Sequence, residues 1–193
     1  MSKKIIKGCT GFTLIELMVG IAILVIISAI ALPNLNNFLI KMRVDNEISK
    51  LNRMILTARN TAVSMGQTVT LCPLATDNSC SDNWGGQLSV FIDLDDDNVF
   101  DLTDGETLVK VKAKITQIDQ LQYSQSVPIT YEATGLLSTT NGNFIFCPEN
   151  NTDRNRGISI SRNGRATVTS DLDDDGIDEF NATPLASIVC ENQ

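Results

Sequence analysis

Histidine is absent from all 193 residues. Its absence removes Ser-His-Asp and Cys-His catalysis, and every zinc site that needs an imidazole. Aromatic side chains are scarce, at 5% with a single tryptophan. No glycine-rich phosphate loop occurs and no nucleophile stands beside a base, so an enzyme is the weakest reading of the chain. Positive charge is also in short supply: 15 Lys and Arg face 23 Asp and Glu, a net charge of −8. Lys3, Lys4 and Lys7 precede the first apolar run. Without them the remainder is more acidic still, and it repels phosphate backbones at long range.

What the chain does have is apolar. Hydrophobic residues make up 42% of it, enough for a core, and its length suits one domain with an appendage. Ile21 to Leu32 is almost unbroken aliphatic, and the apolar character reaches back to Phe12. That is the roughly 20 residues a helix needs to cross a bilayer about 30 Å thick. One residue spoils the run: Glu16, an ionisable group a full turn inside it. A carboxylate there costs several kcal/mol unless partnered, which makes it a functional candidate. The lysines ahead of the run set that end in the cytoplasm. A secretory signal is the rival reading, but Leu32-Pro33-Asn34-Leu35 is a poor cleavage site. A lipoprotein signal at Cys9 has only a short lysine-rich stretch before it, so the segment is expected to stay in the protein.

Beyond Pro33 the pattern becomes amphipathic. Val44, Ile48, Leu51, Ile55, Ala58 and Ala62 recur at helical steps, while Lys41, Arg43, Lys50, Arg53 and Arg59 occupy the other positions. The helix is expected to end near Met65, capped by Gly66, and Pro33 to bend it without ending it. Strand composition follows at Thr68–Cys72, Gln87–Ile92, Thr107–Lys112, Asn143–Cys147, Gly157–Arg162 and Arg165–Thr169. Asn163-Gly164 between the last two is a hairpin signal. One helix packed on a mainly antiparallel sheet is an α+β layout, with no repeat of solenoid type.

Gly11-Phe12-Thr13-Leu14-Ile15-Glu16-Leu17 resembles the processing motif of type IV prepilins and type II secretion pseudopilins. It follows a short basic leader and opens the apolar helix, the context that motif needs. The resemblance implies that a prepilin peptidase cuts after Gly11 and methylates the new amine of Phe12. It also implies that Glu16 pairs with the N-terminal amine of a neighbouring subunit. Two charges paired in an apolar bundle cost far less than either alone, so such a pair can set the register between subunits. The bland alternative for Glu16 is a carboxylate snorkelling to the interface.

A second resemblance covers most of the chain. Leu71-Cys72-Pro73, Cys80, Asp82-Asn83-Trp84-Gly85-Gly86 and Val90-Phe91-Ile92-Asp93 look like the GspH/FimT family of minor pilins and pseudopilins. Phe146-Cys147-Pro148 and Ile158-Ser159-Ile160, leading to Asn163-Gly164-Arg165, continue the pattern. The family implies a type IV pilin-like fold: a leader at 1–11, a transmembrane half-helix at 12–33, an amphipathic half at 34–66 and a periplasmic β-rich domain at 67–193. Members sit at filament tips or start assembly. The partners implied are prepilin peptidase, other pilins or pseudopilins, and inner-membrane lipid. A type IV pilus subunit is the leading reading and a type II secretion pseudopilin its rival. Trp84 and Phe91 read as core aromatics.

With Cys9 in the leader, four cysteines remain. They allow three pairings, or four free buried thiols. The short Cys72–Cys80 separation suggests a local bridge, leaving Cys147 with Cys190, and disulfides would place the domain in an oxidising periplasm.

Two acidic stretches stand out. Asp93, Asp95, Asp97, Val99 (through its carbonyl), Asp101 and Asp104 fall at the spacing of an EF-hand calcium loop, with Asn98 at the sharp turn. It departs from that loop in having Asn for Gly, Asp for the final Glu, and strand-like flanks. Asp171, Asp173, Asp175, Gly176 and Glu179 begin a similar pattern, but Ala182 holds the twelfth position. The alternative is a pair of solvated loops. Some relatives bind DNA through Gly-Arg-x-Arg at the C-terminal hairpin; here the residues read Gly164-Arg165-Ala166-Thr167, without the second arginine. Arg154, Arg156, Arg162 and Arg165 are the candidate DNA contacts, and a DNA receptor is the reading from a different functional class.

Overall fold

Helix α1 (Leu14–Met65) runs for 52 residues in a computed structural model that describes residues 12–149, 154–181 and 186–190, those at 30–34 and 186–187 by backbone alone. The helix continues through Pro33; the bend expected there lies outside the described side chains. The chain divides into two units, residues 1–39 and 40–193. In the first, the apolar side chains from Leu14 to Ile27 stand exposed along the helix. Among the described residues no helix is long and apolar enough to cross a membrane. The described side chains of the apolar run end at Ala29, short of the about 20 residues a span takes.

In the second unit, the α1 face read from the sequence is the buried one. Val44, Ile48, Leu51, Ile55, Ala58 and Ala62 are each no more than 2% exposed, and Met54 joins them. Full burial of such aliphatic side chains is worth about 1.5–3 kcal/mol each. The helix stops where expected: Gly66 takes φ +66°, and its N–H bonds the Ala62 carbonyl at 2.9 Å. Only a residue without Cβ adopts that conformation freely.

The strands are β1 (Val69–Pro73), β2 (Leu88–Ile92), β3 (Thr107–Lys112), β4 (Gln120–Tyr123), β5 (Ile129–Tyr131), β6 (Gly142–Cys147), β7 (Arg156–Ile160), β8 (Ala166–Val168), β9 (Glu179–Phe180) and β10 (Ala186–Ser187). They form two four-stranded sheets, ordered β3-β2-β1-β5 and β4-β6-β7-β8, and a β9–β10 pair. All pairings are antiparallel. The layout is α+β, with two sheets where the sequence led to one. Strands β4, β5, β9 and β10 carried no sequence signal. Three-residue β5 follows Pro128 and is held by its pairing to β1, a partner that composition does not reveal. The core joins α1 to both sheets. Trp84 packs on Tyr123 and Phe144, with ring centroids 4.8 and 5.0 Å away.

The charged side of α1 also makes contacts within the globular unit. Arg43 pairs with Asp119 at 3.1 Å. Arg59 donates Nε to the Gly135 carbonyl and a terminal nitrogen to the Asn163 carbonyl, both at 3.1 Å. That guanidinium holds two turns against the helix. Gly164 lies beneath it at φ +77°, where a Cβ would come within 2.0 Å of the Gly135 oxygen. Glu47 takes Lys112 at 2.8 Å and Lys50 at 2.7 Å. Burial pushes the Glu47 carboxyl up, but the hydrogen bonds and charges of Lys112 and Lys50 outweigh it and hold it below its ordinary value.

Two outcomes follow from this packing. Gly164→Ala destabilises the protein by at least about 2 kcal/mol, because both backbone sign and space oppose the methyl; denaturant unfolding in detergent measures it, and a loss under about 0.5 kcal/mol is evidence against the close-packed turn. The Glu47 contribution is present above the unfolded-chain value and lost as pH falls through the lower folded one. Glu47→Gln therefore costs about 1–3 kcal/mol at neutral pH and progressively less below pH 4.5. Melting curves from neutral to acid pH test this, and a cost independent of pH excludes the ion pair as its source.

Candidate functional site

The N-terminal head begins, among the described residues, at Phe12, which is 90% exposed. The leader, with Cys9 and the expected cleavage position Gly11, lies outside them. Thr13 and Glu16 close the helix start on each other. Glu16 Oε2 accepts the Thr13 N–H at 2.9 Å and its hydroxyl at 2.8 Å, and Thr13 Oγ1 accepts the Glu16 N–H at 3.3 Å. This is a capping box, and Thr-x-x-Glu ahead of an apolar run is its sequence signal. Reading Glu16 only as an acid without a partner missed it. In the single chain the carboxylate has local donors in the Thr13 N–H and hydroxyl.

Two disulfides lie in the globular unit. Cys72 bonds Cys80, 8 residues on, and Cys147 bonds Cys190 across a separation of 43. Cys72 packs with Phe91 and Phe100, whose ring centroids are 5.5 Å apart. The second bridge holds the C-terminal segment to β6. Asn155 adds to it by donating Nδ2 to the Ile188 carbonyl at 3.1 Å.

The first acidic loop joins β2 to β3, and its arrangement differs from the EF-hand order. Asp93, Asp95 and Glu106 bring carboxylate oxygens within 4.8 Å of one another; Asp97, Asp101 and Asp104 are not in that group. Asp97 Oδ1 caps the Val99 N–H at 2.7 Å, and Asp101 Oδ1 caps Thr103. Asp104 is exposed, and Val99 bridges to Ser79. The physical reason is the type of element on the far side of the loop. An EF-hand exits into a helix whose first turn returns the twelfth residue to the ion. Here the chain exits into β3, and the residue before that strand, Glu106, is the one turned inward at 4% exposure. Glu106 accepts the N–H groups of Leu94 and Asp101, each at 2.9 Å. Asp93 is buried as well. Desolvation pushes its carboxyl up, and bonds from the Thr70 hydroxyl and the Asn98 N–H oppose that shift.

The second loop lies between β8 and β9. Asp171, Asp173, Asp175 and Glu179 bring oxygens within 4.8 Å of one another. Ala182, in twelfth position, lies outside the described residues.

Of the candidate DNA contacts, Arg156 is engaged inside the protein. Its guanidinium pairs with Asp45 of α1 and with Asp178, the latter at 2.8 Å, and donates to the Thr169 carbonyl at 3.1 Å. Burial opposes its charge, and the hydrogen bonds of Asp178 and Asp45 more than restore it. Arg162 and Arg165 are exposed on either side of the Asn163-Gly164 turn, and Arg154 is exposed apart from them.

Among solved structures, the chain is similar to the type IV minor pilin FimU of Pseudomonas aeruginosa strain PAO1, at 23% identity and a TM-score of 0.54 over 66% of this chain and 88% of that one. A second crystal form of FimU matches at 23% identity and a TM-score of 0.52, over 65% and 92% of the two chains. The minor pseudopilin EpsH of the type 2 secretion system of Vibrio cholerae matches at 11% identity and 0.46, over 66% and 97%. At these identities the FimU likeness shows a shared fold. The prokaryotic N-terminal methylation motif matches residues 6–32. The family described as type II transport protein GspH matches residues 47–164, more than half of the sequence, and this chain belongs to that family.

Proposed function

We propose that this chain is a minor pilin that primes, joins or caps a type IV pilus. Prepilin peptidase cuts after Gly11 and methylates Phe12. The run from Phe12 to Leu32 then holds the subunit in the inner membrane, N-terminus cytoplasmic and globular domain periplasmic, until it joins the filament with other pilins. The observation that carries the reading is the head of α1. Directly after the cleavage position, Thr13 and Glu16 form a capping box that fixes the carboxylate at the helix start. A cut there liberates a cationic amine on Phe12. The dipole of the helix N-terminus repels a positive charge, so Glu16 is the group that makes a neighbour's amine tolerable in an apolar bundle. The role is structural: the work is done by pairing and packing, with no bond made or broken by the chain itself. The same chemistry would serve a type II secretion pseudopilus. DNA binding draws no support from Arg156, whose guanidinium is already engaged.

The head is tested by mass and by assembly. Protein purified from cells with an active prepilin peptidase begins at N-methyl-Phe12, and Gly11→Val leaves the leader in place. Glu16→Ala is cut normally but enters sheared filaments at least about tenfold less well than the parent, because the pairing is lost. A chain that keeps its leader, or Glu16→Ala assembling at parental levels, refutes the reading. Loss of pili in a deletion strain with type II secretion intact assigns the pilus; the reverse assigns the pseudopilus.

A further inference from the structure

The two acidic loops are the same device built twice. Asp93-Leu94-Asp95-Asp96-Asp97-Asn98-Val99 and Asp171-Leu172-Asp173-Asp174-Asp175-Gly176-Ile177 match position by position in chemistry. They also match in conformation. Positive φ falls at the fourth and sixth residues of both: Asp96 at 63° and Asn98 at 62°, Asp174 at 64° and Gly176 at 91°. The first carboxylate accepts the N–H five residues on in each, at 3.2 Å from Asn98 and 2.9 Å from Gly176. The N–H of the second residue goes to a glutamate beyond the heptad, Leu94 to Glu106 at 2.9 Å and Leu172 to Glu179 at 2.8 Å. Glutamates at different sequence distances thus reach equivalent places.

Repeated loop geometry alone does not make a ligand site. The independent observation is an oxygen without a partner. Asp93 and Glu179 are each 1% exposed, yet Asp93 Oδ1 and Glu179 Oε1 are buried with no hydrogen-bond donor. A buried carboxylate oxygen left unpaired loses its hydration with nothing in exchange. Among the described residues, none of these clustered carboxylates forms a salt bridge to Lys or Arg. Each loop therefore gathers negative charge, buries part of it and supplies no cation of its own.

A hard divalent cation answers all of these features. Two oxygens that bind one calcium ion at about 2.4 Å lie at most about 4.8 Å apart, and both clusters fall within that span. The donors are oxygen throughout, and exposed members leave room for water or backbone carbonyls to complete six to eight ligands, which suits calcium better than octahedral magnesium. We propose that Asp171, Asp173, Asp175 and Glu179 bind one calcium ion, and that Asp93, Asp95 and Glu106 bind a second. The second loop has mechanical reach. Asp178, beside Glu179, pairs with Arg156, and its carbonyl accepts the Ile188 N–H at 3.3 Å. An ion at Glu179 would thereby order the C-terminal segment and the contact of Arg156 with α1.

Calcium chloride titrated into the full chain in detergent micelles, after EDTA treatment and dialysis, provides the test. The expected result is two ions per chain by calorimetry, with a melting temperature that rises with calcium and falls back with EDTA. Glu179→Gln removes the ion of the second loop and Glu106→Gln that of the first. Should either buried variant fail to fold, the exposed Asp173→Asn and Asp95→Asn make the same comparison. No calcium bound beyond a micelle blank, or unchanged stoichiometry in the variants of both loops, overturns the proposal. One ion per chain, lost in the variants of one loop only, upholds that loop and overturns its twin. Equal binding of magnesium at the same sites overturns the choice of calcium.

Discussion

Burial of one face of α1 against two sheets is the constraint on which the globular unit depends. The residues from Val44 to Ala62 contribute to a single core with side chains from β1, β2, β5, β6 and β7. Neither sheet would be covered on that side without the helix. Strands β1 and β2 show what covering does: every residue in both is buried, polar Thr70 and Ser89 included. A strand facing water on one side alternates. These two do not, and the Thr70 hydroxyl inside them needs the Asp93 carboxylate as its acceptor. The acidic loop is thus tied into the sheet by the same burial that orders the core.

Around that apolar contact lies a ring of charged ones. Arg43, Asp45, Glu47 and Arg59 of α1 each reach a different part of the sheets or their turns. They sit at the margin of the buried face, where long side chains pack their stems on apolar surface and place their heads on polar partners. The apolar stripe gives the helix its affinity for the sheets, and the marginal pairs restrict its rotation and register. Arg59 is the clearest case: it binds two carbonyls in separate turns, one of them in the Asn163-Gly164 hairpin. That hairpin is part of the packing of this protein before it is anything else. The two disulfides act in the same direction, fixing loops and the C-terminal segment that the core alone does not reach.

The amphipathic face of α1, its stop at Gly66, the α+β class, and the buried roles of Trp84 and Phe91 were legible because each rests on local pattern. Side-chain period, a glycine conformation and aromatic burial need no knowledge of distant residues. The N-terminal methylation motif was legible for the same reason, being a short contiguous stretch of sequence. The capping box is equally local, since Thr13 and Glu16 stand three residues apart at the helix start.

Sequence by itself therefore determined the helix, its two chemically different halves and the capping residues at its head, all of which depend on residues close together along the chain. Tertiary structure alone decided which charges meet. It divided the strands between two sheets, turned Arg156 inward to Asp45 and Asp178, and put Glu106 in place of Asp104 beside Asp93. Each of those outcomes depends on where the chain goes after a loop and on what covers it there. Spacing carries no such information, because a carboxylate or a guanidinium is satisfied equally well by any partner that folding brings within reach.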